Sequence, residues 1–170
     1  MHVLRARIEG HLASFSRIAL PAEGRRHAAV AIVLSPTTEG PAFFLTRRAL
    51  HLRRNAGNYA LPGGHVEPGE DPIDAARRET SEELGVDLPR AAALGLLDDL
   101  ATLGGHVVTP VVLWSAEPLA LRPNPDEVHL AWAVPISDLD HPEAPRWESN
   151  PVGGPPILRM HARGSWLNPP

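Results

Sequence analysis

Between Arg77 and Gly85 the chain reads RRETSEELG, which puts three glutamates, Glu79, Glu82 and Glu83, into five consecutive positions. Asp71 is suited to cap a helix start, Pro72 to its first position and Gly85 to its end, so the spacing predicts a helix over Pro72–Leu84. At about 100° per residue, Ile73, Ala76, Thr80 and Leu84 share one arc, and the three glutamates share another. The first arc is expected to pack and the second to face outward, with small Ala75 leaving room beside the carboxylates. Like charges this close destabilise an empty helix, and no lysine lies on that face to offset them. Such a cluster of oxygens suits a hard divalent cation such as Mg²⁺. Arg78, four residues before Glu82, can brace a glutamate from the side. A solvated acidic face is the commoner meaning of this spacing alone, so its neighbours decide.

Directly upstream stands LPGGHVEPGE, where Gly63, Gly64 and Gly69 permit tight turns and close backbone approach. A turn-rich loop running into an acidic helix suits diphosphate chemistry, with the cation neutralising phosphates that the glycine backbone can meet. Before it, Arg47, Arg48, Arg53 and Arg54 fall within eight residues. They offer fixed positive charge for phosphate, or else form a solvated basic loop. If Arg47 and Arg48 lie on a strand they point to opposite faces, so the four cannot all reach one ligand.

The elements that must hold these residues read as mixed α/β. Strands are expected near Ala28–Leu34, Ala42–Arg47, Ala92–Asp98, Val107–Ser115 and Val128–Val134, with the acidic helix between the second and third. At 170 residues the chain fits a single domain, 1–170, with its core at about 28–134. The opening MHVLRARIEGHLASF suggests an amphipathic helix through Val3 or Leu4, Ile8, Leu12 and Phe15, and is neither a signal peptide nor a membrane span. Prolines crowd the sequence after Glu117, which predicts an irregular wrap there. A formal net charge of −4 argues against a general nucleic-acid or membrane-surface binder. The absence of cysteine excludes thiol catalysis and thiolate metal sites and fits a cytoplasmic protein. The nine histidines show no ligand spacing, and His65 is merely near the glycine loop.

Taken together, Gly64, Glu70 and RETSEELGV from Arg78 to Val86 resemble the Nudix box, G-x5-E-x7-R-E-U-x-E-E-x-G-U with U aliphatic. Only Thr80 departs from it, on the packing arc rather than among the glutamates. The resemblance implies an α/β/α sandwich around a mixed β-sheet and hydrolysis of a nucleoside diphosphate linked to another moiety. It further implies that Glu79, Glu82 and Glu83 hold Mg²⁺ or Mn²⁺ with the Gly63–Gly64 backbone close by, one glutamate acting as base. Glu70 and Arg78 become orienting partners. NPDEVHLAWAVPISDL resembles the segment before the last core strand, which makes Glu127 a further carboxylate of the site or an ordinary exposed glutamate. The family usually continues into a helix beyond a tryptophan such as Trp166, so the C-terminal end is expected to be missing after Pro170.

The stretch FLTRRALHLRRNAGNYALPGG is similar to the extra motif of coenzyme A diphosphatases in that family, L-L-T-x-R-S/A-x3-R-x3-G-x3-F-P-G-G. Leu45, Thr46, Arg48, Ala49, Arg53, Gly57, Pro62, Gly63 and Gly64 match, and Phe44 and Leu61 replace apolar residues by apolar ones. This resemblance implies coenzyme A as substrate, bound through Arg48, Arg53, Gly63 and Gly64, and 3′,5′-ADP and 4′-phosphopantetheine as products. The alternatives are a nucleoside triphosphate, ADP-ribose or a dinucleotide as substrate, or a catalytically silent ligand-binding module. The complete set of glutamates weighs against the silent module. No nucleic-acid or membrane partner is expected, and monomer and homodimer both remain open.

Overall fold

The computed structural model describes residues 1–21, 24–102, 104–150, 156–162 and 164–167. Its centre is the strand β1, Arg26–Thr37, whose apolar run is covered on both sides as an uninterrupted hydrophobic strand requires. Ala29, Ala31 and Val33 face one cluster, while Ile32 and Leu34 face another. A short turn leads to β2, Gly40–Arg48, which pairs antiparallel with the far end of β1 from Leu34↔Phe43 to Thr37↔Gly40. The small strands β3, Tyr59–Ala60, and β4, Gly63–His65, follow. β4 lies antiparallel to the beginning of β1, with Ala29 opposite Gly64 and Val30 opposite Gly63.

After the acidic helix come β5, Ala93–Leu96, β6, Leu100–Ala101, and β7, His106–Trp114, which runs parallel to β1 through nine paired positions. β8, Val128–Pro135, completes this sheet by pairing with the outer side of β2. One parallel pair among antiparallel ones makes the sheet mixed.

The helices cover its opposite faces. α1, His2–Ser14, lays Leu4, Ile8 and Leu12 on Leu34, Val112 and Trp114. Val3 and Phe15 are exposed, so the packing stripe is the one that starts at Leu4. α2, Pro72–Leu84, packs Ala75, Ala76 and Leu84 against Ala29, Ala31, Val33, Phe44, Val111 and Leu113. This is the α/β/α arrangement that the sequence implies. Among the described residues no helix is long and apolar enough to cross a membrane.

Two expectations need correction. The third strand is shorter than Ala92–Asp98, because Arg90–Ala92 form a 3₁₀ turn and Asp98 and Asp99 are recruited by the segment after α1. Ile18 N–H donates to Asp98 at 2.7 Å, and Leu20 N–H and the Arg17 guanidinium donate to Asp99. Nor is the proline-rich tail irregular throughout. A second sheet joins β9, Arg146–Glu148, β10, Ile157–Ala162, and β11, Ser165–Leu167. These strands contain no proline, and Pro142 and Pro145 precede β9, where no ladder donor is needed. The backbone of Trp166 belongs to β11, and the helix expected beyond it falls outside the described residues.

Both ends of α2 form as their letters indicate. The Asp71 carboxylate accepts from Ile73 N at 2.9 Å and Asp74 N at 3.0 Å, satisfying two amides that the helix leaves open. Gly85 closes the other end at φ 64°, and a methyl group there would meet the Arg122 carbonyl at 3.0 Å. Gly85→Ala should therefore destabilise the fold by about 1–2 kcal/mol. Urea titration should show a lower midpoint at unchanged slope.

Candidate active site

Helix α2 reaches the sheet at β4 through a contact that only glycine allows. A Cβ on Gly64 would lie 2.1 Å from Glu79 Oε1, so the carboxylate occupies the space of a side chain. Gly63 is similarly confined, since a Cβ there would lie 2.4 Å from the Ala29 carbonyl oxygen. Its N–H hydrogen-bonds the Glu83 carboxylate one helical turn beyond Glu79. The glutamate arc therefore does not simply face outward. Glu79 and Glu83 are only 9% and 3% exposed, and Ala75 is wholly buried in the core rather than leaving space beside them. The reason is that β4 folds back over α2, which periodicity within the helix cannot reveal.

Glu127 arrives from a distant part of the chain. Asn124 N–H donates to the Glu83 carbonyl at 3.0 Å, Glu127 N–H to the Asn124 carbonyl at 3.1 Å, and Ala49 N–H to the Glu127 carbonyl at 2.8 Å. These bonds tie the Glu127 backbone to the end of α2 and the end of β2. Carboxylate oxygens of Glu79, Glu83 and Glu127 consequently lie within 4.8 Å of one another. Among the described residues this is the group whose spacing suits a cation. An all-carboxylate donor set fits Mg²⁺ or Mn²⁺.

Glu82 stands outside that group, with its side chain 49% exposed. It belongs to the fork of Arg78, which donates to Glu82 at 3.1 Å, to Glu79 at 2.8 Å, to both oxygens of Glu70 at 3.1 and 3.2 Å, and to the His65 carbonyl at 2.9 Å. Arg78 thus locks the loop and the helix to each other. A groove of about 420 Å³ between Glu70 and Leu88 is lined by Asp74, Arg77, Arg78, Glu82 and Asp87 and omits the three converging carboxylates. Its arginines are already paired with Asp74, Glu70 and Glu82, so the convergence at Glu79 is the better guide to chemistry.

Electrostatics follow from this packing. Burial pushes the Glu83 carboxyl up to about 8, aided by the Glu79 charge and opposed by Arg48 and the Gly63 N–H. Burial also raises Glu79, against the pull of Arg78. Glu70 is lowered because Arg78 bonds its charged form. The arginines before the glycine loop separate as strand geometry demands. Arg47 turns to the Gly57 carbonyl at 3.1 Å and the Tyr59 ring, whereas Arg48 lies where its charge acts on Glu83. Arg53 and Arg54 are exposed between β2 and β3.

Residues 25–152 match the family described as the NUDIX domain. The chain belongs to the Nudix family. Over 119 residues this Nudix chain is 40% identical to the uncharacterized Nudix hydrolase NudL of Photorhabdus laumondii, covering 68% of itself and 62% of that protein. Against the protein of the same name from Escherichia coli K12 it is 35% identical over 117 residues, covering 68% and 60%. It therefore spans about three fifths of the length of these relatives. Among solved structures, the Nudix hydrolase RenU of M. smegmatis superposes with a TM-score of 0.53 at 29% identity, over 68% of this chain and 74% of that one.

The raised Glu83 carboxyl makes metal-free stability depend on pH. Between the ordinary value of 4.5 and about 8 the folded Nudix domain keeps a proton that the unfolded chain releases. Stability is therefore greatest below 4.5 on this account and falls as pH rises through the window. Denaturation in a chelator across that range should show the decline, and Glu83→Gln should remove its share and leave only the contribution of Glu79. A slope of the same size in the variant would place the buried proton elsewhere.

Proposed function

We propose that this chain is a metal-dependent coenzyme A diphosphatase. It hydrolyses the diphosphate of coenzyme A and its acyl derivatives to 3′,5′-ADP and 4′-phosphopantetheine or acyl-phosphopantetheine. The observation that carries this reading is the convergence of Glu79, Glu83 and Glu127 within 4.8 Å beside the Gly63–Gly64 backbone. The choice of coenzyme A is supported by the Leu45–Gly64 motif, which supplies Arg48 and Arg53 for a substrate that carries a third phosphate.

In this reading Glu79 and Glu83, joined by Glu127 and by Glu82 when it leaves Arg78, hold Mg²⁺ or Mn²⁺ with the Gly63 backbone beside them. Such a cation supplies neutralisation of the diphosphate charge and a lower pKa for the attacking water. Gly63 and Gly64 let the main chain of β4 lie directly against β1 and the Glu79 carboxylate, which keeps the backbone beside the cation's ligands. Arg78 keeps Glu79 from rotating, and Glu70 keeps Arg78 in place. Water oxygen joins one phosphorus, the bridging P–O bond breaks, and the released proton passes to whichever glutamate is not fully engaged as a ligand. Arg48 and Arg53 fix the remaining phosphates.

Incubation with coenzyme A and Mn²⁺ or Mg²⁺ should yield the two products in equal amounts. Glu79→Gln and Glu83→Gln should each lower kcat by at least about 100-fold at saturating cation. Arg53→Ala should raise KM for coenzyme A more than for 3′-dephospho-coenzyme A if Arg53 meets the 3′-phosphate. Turnover of a nucleoside triphosphate, ADP-ribose or a dinucleotide in preference would replace coenzyme A as substrate. Binding of coenzyme A and cation without any product would make the chain a silent ligand-binding module.

A further inference from the structure

Arg48 differs from Arg78 in having a charge that acts on the Glu83 carboxylate but, among the described residues, no hydrogen-bond acceptor. Its Nε is buried and forms no hydrogen bond, a costly state for a guanidinium N–H. The irregularity in the β2–β8 register falls between Arg47 and Arg48, and it brings Arg48 opposite Val128, next to Glu127. The bond from Ala49 N–H to the Glu127 carbonyl holds that juxtaposition. Among the described residues Arg48 enters no ion pair, whereas Arg78 is shared by Glu70, Glu79 and Glu82. The site thus contains one arginine that is committed to its glutamates and one that is near them yet unattached.

We propose that Arg48 couples cation binding to diphosphate binding. In the empty site its charge offsets the buried carboxylates, and once a divalent cation performs that task the guanidinium is available to a phosphate oxygen. This inference rests on the assignment of Glu79, Glu83 and Glu127 as the cation's ligands. It implies opposite signs for two effects of the same residue. A positive charge beside the ligands weakens binding of the cation alone, while a phosphate shared between cation and Arg48 strengthens the binding of each in the presence of the other. An arginine with a purely structural role would lack the second effect.

Titration calorimetry of Mn²⁺ into the chelator-treated full chain, with and without ADP as a diphosphate probe, tests this directly. In the wild type, ADP should tighten Mn²⁺ binding. Arg48→Gln should bind Mn²⁺ alone about threefold to tenfold more tightly and lose most of the tightening by ADP. Arg48→Lys keeps the charge and should retain the wild-type affinity for Mn²⁺ alone. Arg48→Met, similar in length and uncharged, takes the place of Arg48→Gln if that variant does not fold. Unchanged or weaker Mn²⁺ binding by a folded, uncharged variant overturns the coupling, as does full retention of the ADP effect. The underlying assignment fails separately if Glu79→Gln/Glu83→Gln binds Mn²⁺ as tightly as the wild type.

Discussion

The contact of the Glu79 carboxylate with Gly64 is the constraint on which the site depends. A carboxylate takes the place of a side chain on β4, so the acidic helix can approach the sheet closely enough to bury Glu79 and Glu83. Burying two like charges opposes folding, and the opposition appears in the raised Glu83 and Glu79 carboxyls. Arg78 offsets part of it by bonding Glu79 from the side. The rest remains as a demand for positive charge, which under the proposed function a divalent cation would meet.

Everything around that contact serves to hold its register. β4 is set against β1 by three antiparallel pairs, and β1 is itself fixed by nine parallel pairs with β7. A one-residue shift in one direction would bring His65 in place of Gly64 under Glu79, where its side chain would meet the carboxylate. The helix is fixed at its own ends as well. Arg90 bonds Asp71 and Asp74 across the first turn, holding Asp71 down to about 2, while Gly85 turns the chain beside Arg122. The distance from Glu79 to Glu83 is then set by one turn of a helix that cannot slide.

The two inner arginines show how position changes the work of identical side chains. Arg78 lies on the helix among acceptors and becomes a brace. Arg48 ends a strand at an irregularity in the ladder, where its charge acts on Glu83 while its Nε forms no hydrogen bond. A brace contributes to a fixed arrangement, whereas an unattached charge can respond to what enters the site.

Much of this protein is determined by local sequence. The caps Asp71 and Gly85, the run Ala28–Leu34 and the fixed spacing from Gly64 to Val86 identify the helix, the central strand and the family, because each depends on neighbours a few residues apart. The glutamates and Arg78 are legible for the same reason. What the tertiary structure decided is which of them meet. Glu82 lies on the same helix face as its neighbours in projection, yet it stays with Arg78 in partial contact with solvent, while Glu127 crosses more than forty residues of chain to join Glu79 and Glu83. The burial of the acidic arc, the early end of β5 and the strands of the tail likewise come from segments distant in sequence. Helical periodicity orders a single element, but only the folding of β4 and the 124–128 turn over that element determines which side of it is enclosed.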